Sequence, residues 1–276
     1  MRTWLITGSS RGFGALLTQR ALEAGDNVIA TARKPADVTA RFGEHPRLFA
    51  VKLDVTRESD AHEAIAEGIQ RFGRIDILVN NAGYGLLGAV EEASTAEVHN
   101  IFSTNVFGLL NVTRAVLPHM RKQRSGHIIN FSSLGGYQAY VGWGVYGATK
   151  FAVEGLTEAL AQELMPLGVK ATVVEPGFFR TDFLDEQSLV TSPVVIADYD
   201  ATVGAMRRFA ETANHGQPGD PEKLAGAILA LVDAPNPPLR LPLGSDAIER
   251  IEQKNAAVAS ELEQWRELSL STDFKA

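Results

Sequence analysis

Thr3-Trp4-Leu5-Ile6-Thr7 runs directly into Gly8-Ser9-Ser10-Arg11-Gly12-Phe13-Gly14, and this junction decides how the chain folds. The first five residues are apolar or β-branched, as a buried strand requires. The glycines that follow permit a tight turn. An amphipathic stretch then spans Phe13–Ala24 and stops at Gly25, a residue suited to a helix C-terminus. Strand, glycine-rich turn and helix in that order make a phosphate cradle. Glycines let the backbone approach a pyrophosphate, while the helix N-terminus offers free N–H groups and the positive end of its dipole. The spacing is G-x-x-x-G-x-G and no Gly-Lys-Ser/Thr follows, which argues against a nucleoside-triphosphate P-loop.

Outward from this junction the rhythm repeats. Strands are expected at Thr3–Thr7, Asn27–Thr31, Leu48–Lys52, Ile75–Asn80, His127–Ser132, Val169–Glu175 and Leu239–Leu243. Helices are expected at Phe13–Ala24, Glu58–Phe72, Thr95–Arg121, Tyr146–Met165 and Glu222–Val232. Alternating strands and helices imply an α/β fold, a doubly wound parallel sheet of about seven strands with right-handed crossovers. The strands are apolar runs without clean alternation, as when helices cover both faces. All 276 residues are expected to form one domain, since no repeat, low-complexity block or linker divides them. Ligands in such sheets bind beyond the carboxyl ends of the strands.

Composition narrows the class. A hydrophobic share of 45% and a charged share of 21% are those of an ordinary globular chain. The net charge of −7 argues against nucleic-acid binding, and no apolar run is long enough to span a membrane. Cysteine is absent, so disulfides and cysteine metal sites are excluded. The six histidines, at 45, 62, 99, 119, 127 and 215, lack metal-ligand spacing and read as surface or structural residues. No metal is expected. A cleaved leader would remove the first strand, so cytoplasmic residence is the expectation.

Chemistry concentrates at Tyr146-Gly-Ala-Thr-Lys150, with Ser133 thirteen residues upstream. A tyrosine and a lysine four apart on a helix share one face. A phenol titrates near ~10 and must fall by roughly three units to exchange protons at neutrality. An ammonium ~4 Å away at an effective dielectric of ~20 supplies about the 4 kcal/mol required. Lys150 is therefore expected to lower the pKa of Tyr146, and Ser133 to orient a substrate oxygen.

With Gly8, Gly12 and Gly14, Asn80-Asn81-Ala82-Gly83, Asn105, Ser133, Tyr146/Lys150 and Pro176-Gly177-x-x-x-Thr181 in order, residues 2–183 resemble the short-chain dehydrogenase/reductase family. The resemblance implies an NADP(H)-dependent oxidoreductase that interconverts a carbonyl and an alcohol. Tyr146 would be the proton donor, Lys150 its partner and a ribose ligand, and Ser133 the carbonyl's hydrogen-bond donor. Asn105 would hold a water linking Lys150 to solvent. Ser132 is the runner-up for the serine role, but only Ser133 has the family spacing. Cofactor contacts would come from Gly8, Ser10, Arg11, Gly12, Phe13 and Gly14 at the phosphates. Asp54 and Val55 would meet the adenine, and Asn81, Ala82 and Gly83 its ribose. Pro176, Gly177, Phe179 and Thr181 would hold the carboxamide. The second strand ends at Ala32-Arg33 with no acid to grip a ribose 2′-hydroxyl. A guanidinium there favours a 2′-phosphate, so NADP(H) is expected over NAD(H), with Arg11 the second basic candidate.

Three further expectations complete the reading. Residues 184–216 show no strong period and in the resembled family close over the substrate as a lid. Tyr140, Trp143, Leu134, Phe178 and Phe183 suit a hydrophobic ketone, aldehyde or alcohol. In 246–268, Ile248, Ile251, Asn255, Val258, Leu262 and Trp265 make a narrow stripe on one helix. Packing on its own subunit is the plainer reading of that stripe; a subunit contact or a cover at the substrate entrance is the sharper one. The family also implies a homodimer or homotetramer. Glu175, a buried-looking acid, is assigned no catalytic role. The alternative function is a catalytically silent NADP(H)-binding sensor or scaffold, disfavoured by the intact Asn105/Ser133/Tyr146/Lys150 set.

Overall fold

The computed structural model of the protein describes residues 1–185, 187–213 and 216–274. His215 lies outside them. Seven strands form one parallel sheet: β1 (Thr3–Thr7), β2 (Asn27–Ala32), β3 (Leu48–Lys52), β4 (Ile77–Asn80), β6 (Gly126–Phe131), β7 (Val169–Pro176) and β9 (Arg240–Leu243), ordered β3-β2-β1-β4-β6-β7-β9. The crossovers include α1 (Gly12–Glu23), α3 (Glu58–Phe72), α5 (Leu109–Gln123), α6 (Gly144–Leu164) and α8 (Pro221–Asp233). The Rossmann-type α/β sheet, with helices on both faces, is as expected.

The pleat explains why the strands lack alternation. Trp4, Ile6, Val28, Ala30 and Val79 point to one side, against Leu17 and Ala21 of α1 and Leu224 and Ile228 of α8. Leu5, Ile29, Leu78 and Ile128 point to the other, against Ile65 of α3 and Val112 and Val116 of α5. Each fully buried Leu or Ile contributes about 1.5–3 kcal/mol, so the two layers lock the register. Because β1 pairs with both β2 and β4, the connections run outward in both directions from this point. A crevice opens there at the strands' carboxyl ends.

Four elements depart from the sequence reading. α2 (Pro35–Phe42) was not expected; it buries Val38 alone, too little to show a stripe, although Pro35 at its first turn is a start signal. The expected helix Thr95–Arg121 is three pieces: α4 (Thr95–Phe102), a π-helical segment Ser103–Gly108, and α5. A π-helical turn inserts one extra residue per turn, and Asn105 sits inside it.

The 184–216 stretch is more regular than its sequence. It contains β8 (Leu189–Thr191), paired with β5 (Gly85–Leu87), and α7 (Ala205–Ala213). Glu92 holds it in place. This buried carboxylate accepts from the N–H groups of Ala89 (2.7 Å) and Ile196 (2.8 Å) and pairs with Arg207 (2.7 Å). Burial pushes its pKa up, but those N–H donors and the guanidinium outweigh it and hold it low. A long-range latch of this kind leaves no periodic trace.

The last helix, α9 (Ser245–Leu270), overturns the expectation of packing on its own subunit. Ala247 is its one buried residue, while Leu262 is 57% and Trp265 61% exposed. Its base is attached: Asp246 accepts from the N–H of Phe178 (2.7 Å), and Asn255 accepts from the Tyr137 hydroxyl. No helix among the described residues is long and apolar enough to cross a membrane.

Candidate active site

A cavity of about 1460 Å³ occupies the crevice, lined by the ends of β1, β4, β6 and β7. Gly8, Ser10, Arg11, Gly12, Phe13, Arg33, Asp54, Val55, Asn81, Ala82, Gly83, Ser133, Tyr146, Lys150, Pro176, Gly177, Phe179 and Thr181 all line it. Of the residues read from the sequence, Gly14 and Asn105 stand behind the wall. Gly14 is there because nothing larger fits: a Cβ would come within 2.2 Å of the Gly8 carbonyl oxygen and 2.6 Å of Asn81 Nδ2. Thr7, which sequence reasoning passed over, binds the two motifs together. Its hydroxyl accepts from the N–H groups of Asn81 and Ala82, both at 3.0 Å, while Asn81 Nδ2 returns a bond to the Thr7 carbonyl (2.9 Å). The N-terminus of α1 has no side-chain cap and no acid in its first turn, so its N–H groups face the cavity unopposed. That cradle fits a pyrophosphate.

At the far end, Arg33 is exposed, and neither it nor Lys34 makes a side-chain hydrogen bond or ion pair among the described residues. Lys34 is a second free cation that the sequence reading missed. Arg11 lines the cavity and also makes contacts beyond the turn. Its guanidinium donates to Gln187 Oε1 and to the Gln187 main-chain carbonyl, so it ties the glycine turn to the segment after β7. Asp54 accepts from the Thr56 N–H (3.0 Å) and hydroxyl (2.7 Å), which fixes its carboxylate beside Val55.

The reacting end is built on α6. Ser133 leads the short turn after β6, and its hydroxyl accepts from the N–H of Gly135 (3.0 Å). Ser132 points toward the Lys150 carbonyl (3.5 Å), and of the two serines it is Ser133 whose hydroxyl hydrogen-bonds Tyr146. Tyr146 is 7% exposed. Its ring packs edge-on to Trp143 (5.7 Å between centroids) and tilts against Phe183 (5.6 Å). Lys150 Nζ donates to the Phe131 carbonyl (2.8 Å) and lies 5.7 Å from the Tyr146 ring centroid.

These positions correct the electrostatic expectation. Burial pushes the Tyr146 phenol up to about 12, with a hydrogen bond from Ser133 pulling weakly the other way. Burial pushes Lys150 down to about 8 while Glu154 acts to raise it. Desolvation dominates because both groups are buried beneath the aromatic wall. Tyr146 is thus a loaded proton donor, and Lys150 is the group that titrates near neutrality.

Asn105 is held by three hydrogen bonds. Its side chain donates to the Tyr84 carbonyl (3.0 Å) and Thr149 hydroxyl (3.2 Å) and accepts from the Tyr84 N–H (3.1 Å). These bonds join the segment after β4 to α6 and fix the side chain beside Thr149. On the opposite wall, Thr181 accepts from the N–H of Phe183 (3.3 Å), and Phe179 packs edge-on to Phe13 (5.7 Å). Gly177 is required by a close approach: a Cβ there would lie 2.3 Å from either Asp246 carboxylate oxygen. Asp246 braces this turn and was not visible as a site residue.

The comparisons agree with this architecture. The family model for short chain dehydrogenases matches residues 2–190. An oxidoreductase of Botryotinia fuckeliana, BOA17, is 41% identical over 98% of this chain and 99% of its own length. A 3-ketodihydrosphingosine reductase of Bacteroides thetaiotaomicron is 40% identical over 87% of each. The crystal structure of a short-chain dehydrogenase from Streptomyces avermitilis superposes with a TM-score of 0.90 at 39% identity, covering 99% of this chain and all of that one. Solved neighbours include a serine dehydrogenase with NADP+ (TM-score 0.73, 30% identical, 87% of this chain and 94% of that one). They also include a 3-ketoacyl-(acyl-carrier-protein) reductase from Brucella melitensis with NADH (0.74, 26%, 88% and 96%). The chain belongs to the short chain dehydrogenase family of oxidoreductases.

Proposed function

We propose that the protein is an NADP(H)-dependent oxidoreductase that interconverts a hydrophobic ketone or aldehyde and its alcohol. The observation that carries this is the meeting of Ser133, Tyr146 and Lys150 at one end of a cavity whose other end holds two cations, Arg33 and Lys34, that have no side-chain partner among the described residues. A reduced nicotinamide, when bound, supplies the hydride. The chain's own residues do the rest. Ser133 hydrogen-bonds the substrate oxygen, and Tyr146 gives it a proton as negative charge develops. Lys150, ammonium below about 8, stabilises the phenolate left behind. The glycine turn and α1 hold phosphate, Asp54 and Val55 the adenine, and Asn81, Ala82 and Gly83 the ribose. Pro176, Gly177, Phe179 and Thr181 place the carboxamide.

An apolar substrate follows from the wall around Tyr146, where Trp143, Phe183, Leu87, Leu189 and Met206 form one cluster. The sphingoid name of the Bacteroides relative is in keeping with that wall. NADPH and NADH oxidation against a panel of hydrophobic ketones and aldehydes tests the reading; no turnover with any of them rejects it in favour of a cofactor-binding sensor.

Cofactor choice has its own test. Arg33→Ala removes a charged hydrogen bond and should weaken NADPH by roughly 1.5–3 kcal/mol while leaving NADH kinetics nearly unchanged. Adding Ala32→Asp should repel the 2′-phosphate and bring NADH to the fore. Equal losses for both cofactors would make Arg33 structural.

The exposed stripe of α9 is read as a subunit contact or a cover for the substrate entrance, since the Tyr137–Asn255 bond sets its base beside the Ser133 turn. Asp246 and Asn255 should be retained, so the cut belongs after them. Deleting 257–276 should leave the melting temperature within a degree or two and change either light-scattering mass or substrate KM. If both stay the same, the helix is neither.

A further inference from the structure

Beneath the catalytic face of α6 lies a second cluster that the reaction as described does not use. Glu154, one helical turn after Lys150, is 6% exposed, and Glu175 on β7 is 1% exposed. They face each other between α6 and the sheet. Among the described residues, no well-directed donor reaches their four carboxylate oxygens, and only the Ser132 hydroxyl lies against Glu154. Arg240 on β9 approaches both, its Nε 3.4 Å from Glu154 and 3.6 Å from Glu175, but its best-directed bond goes to Glu158 at 2.8 Å. Two buried carboxylates side by side, short of well-directed donors, repel each other and lack the hydration they had in water. One proton resolves both problems, because a protonated carboxyl donates to its neighbour and leaves the pair with a single charge.

We propose that Glu154 and Glu175 share one proton and that this acid pair is a positioning element for proton exchange, holding Lys150 as its ammonium beside Tyr146. The charges around it then balance. Lys150 and Arg240 carry two positive charges; the pair and Glu158 carry two negative ones. Ser132, between Glu154 and the Lys150 carbonyl, completes the contact. Burial raises the carboxyl of Glu175, to about 8, with the Glu154 charge adding to it. Burial likewise raises Glu154. Both directions agree with a retained proton. Glu154 in turn raises Lys150 against its own desolvation. The kinetic consequence rests on the carbonyl-reduction reading; the shared proton does not.

Two measurements separate the claims. Difference infrared spectroscopy of the full-length protein at pH 7 should show a protonated-carboxyl carbonyl stretch that disappears in Glu154→Gln and in Glu175→Gln, because each leaves one ionised acid with an amide donor. No such band in the unsubstituted protein, or a band untouched by both substitutions, overturns the shared proton whether or not the protein turns over any substrate. For the second claim, the pH profile of carbonyl reduction is compared. Each single variant keeps one negative charge and should retain the limb near 8, whereas Glu154→Gln/Glu175→Gln loses it and should move the limb about one unit lower. Identical profiles in all four proteins would leave the pair a purely structural contact. Should the double variant fail to fold, the infrared result on the singles still decides the shared proton.

Discussion

Tyr146→Phe should lower the rate of carbonyl reduction by about a thousandfold while leaving NADPH affinity within twofold. The magnitude follows from what one positioned general acid contributes, typically 10²–10⁴. The substitution removes the proton and little else. The ring keeps its edge-on contact with Trp143 and its tilt against Phe183, so the wall of the site and the start of α6 stay in place. Ser133 retains the N–H of Gly135 as a partner, which keeps the turn after β6 intact. With burial holding the phenol near 12, the wild-type donor is protonated over the whole accessible pH range. The loss should be larger at pH 6 than at pH 9, because the wild-type rate itself falls as the Lys150 ammonium is lost near 8. Single-turnover rates with cofactor titrated separately by fluorescence make the comparison. Residual activity above a tenth would remove Tyr146 from the donor role and direct attention to Ser133.

How much of this was legible in the sequence depends on whether the residues concerned speak locally. The glycine turn, the apolar strands and the Tyr146/Lys150 pair are written in consecutive or nearly consecutive positions. Their identities constrain backbone geometry directly: at Gly14 a methyl group would collide with the Gly8 carbonyl. What escaped notice depends on partners far along the chain. Glu92 reads as an ordinary acid until Ile196 and Arg207, more than a hundred residues later, converge on it. Asp246 reads as a helix-start residue until it meets the N–H of Phe178. Glu175 was visible as a buried acid, but its companion Glu154 lies on another element and nothing in either segment links them. The α9 stripe shows the opposite failure. Its spacing predicts a contact face, yet periodicity does not say whose surface is contacted, and the chain's own body covers only the base.

Desolvation also explains why the expected charge tuning came out reversed. Spacing alone places an ammonium near a phenol, but not the depth at which the two sit or the Phe131 carbonyl that holds the ammonium. Depth settles the sign, because burial disfavours both the phenolate and the ammonium. Lys150→Ala then becomes the more informative of the two active-site substitutions. Removing the ammonium strands the Phe131 carbonyl without its donor and withdraws a positive charge from beside the developing phenolate. We expect reduction to slow by about a hundredfold or more, in line with 3 kcal/mol or so of lost charge stabilisation. Cofactor affinity should fall as well, because the same side chain faces the ribose in the proposed complex. The pH dependence distinguishes this from simple damage. With burial holding Lys150 near 8, the wild-type rate should fall as pH rises through that value, because the ammonium is lost there. In Lys150→Ala the limb near 8 should be gone and the residual rate flat from pH 6.5 to 9, with circular dichroism confirming an intact fold. A variant that is slow but still loses activity through pH 8 would place the titrating group elsewhere.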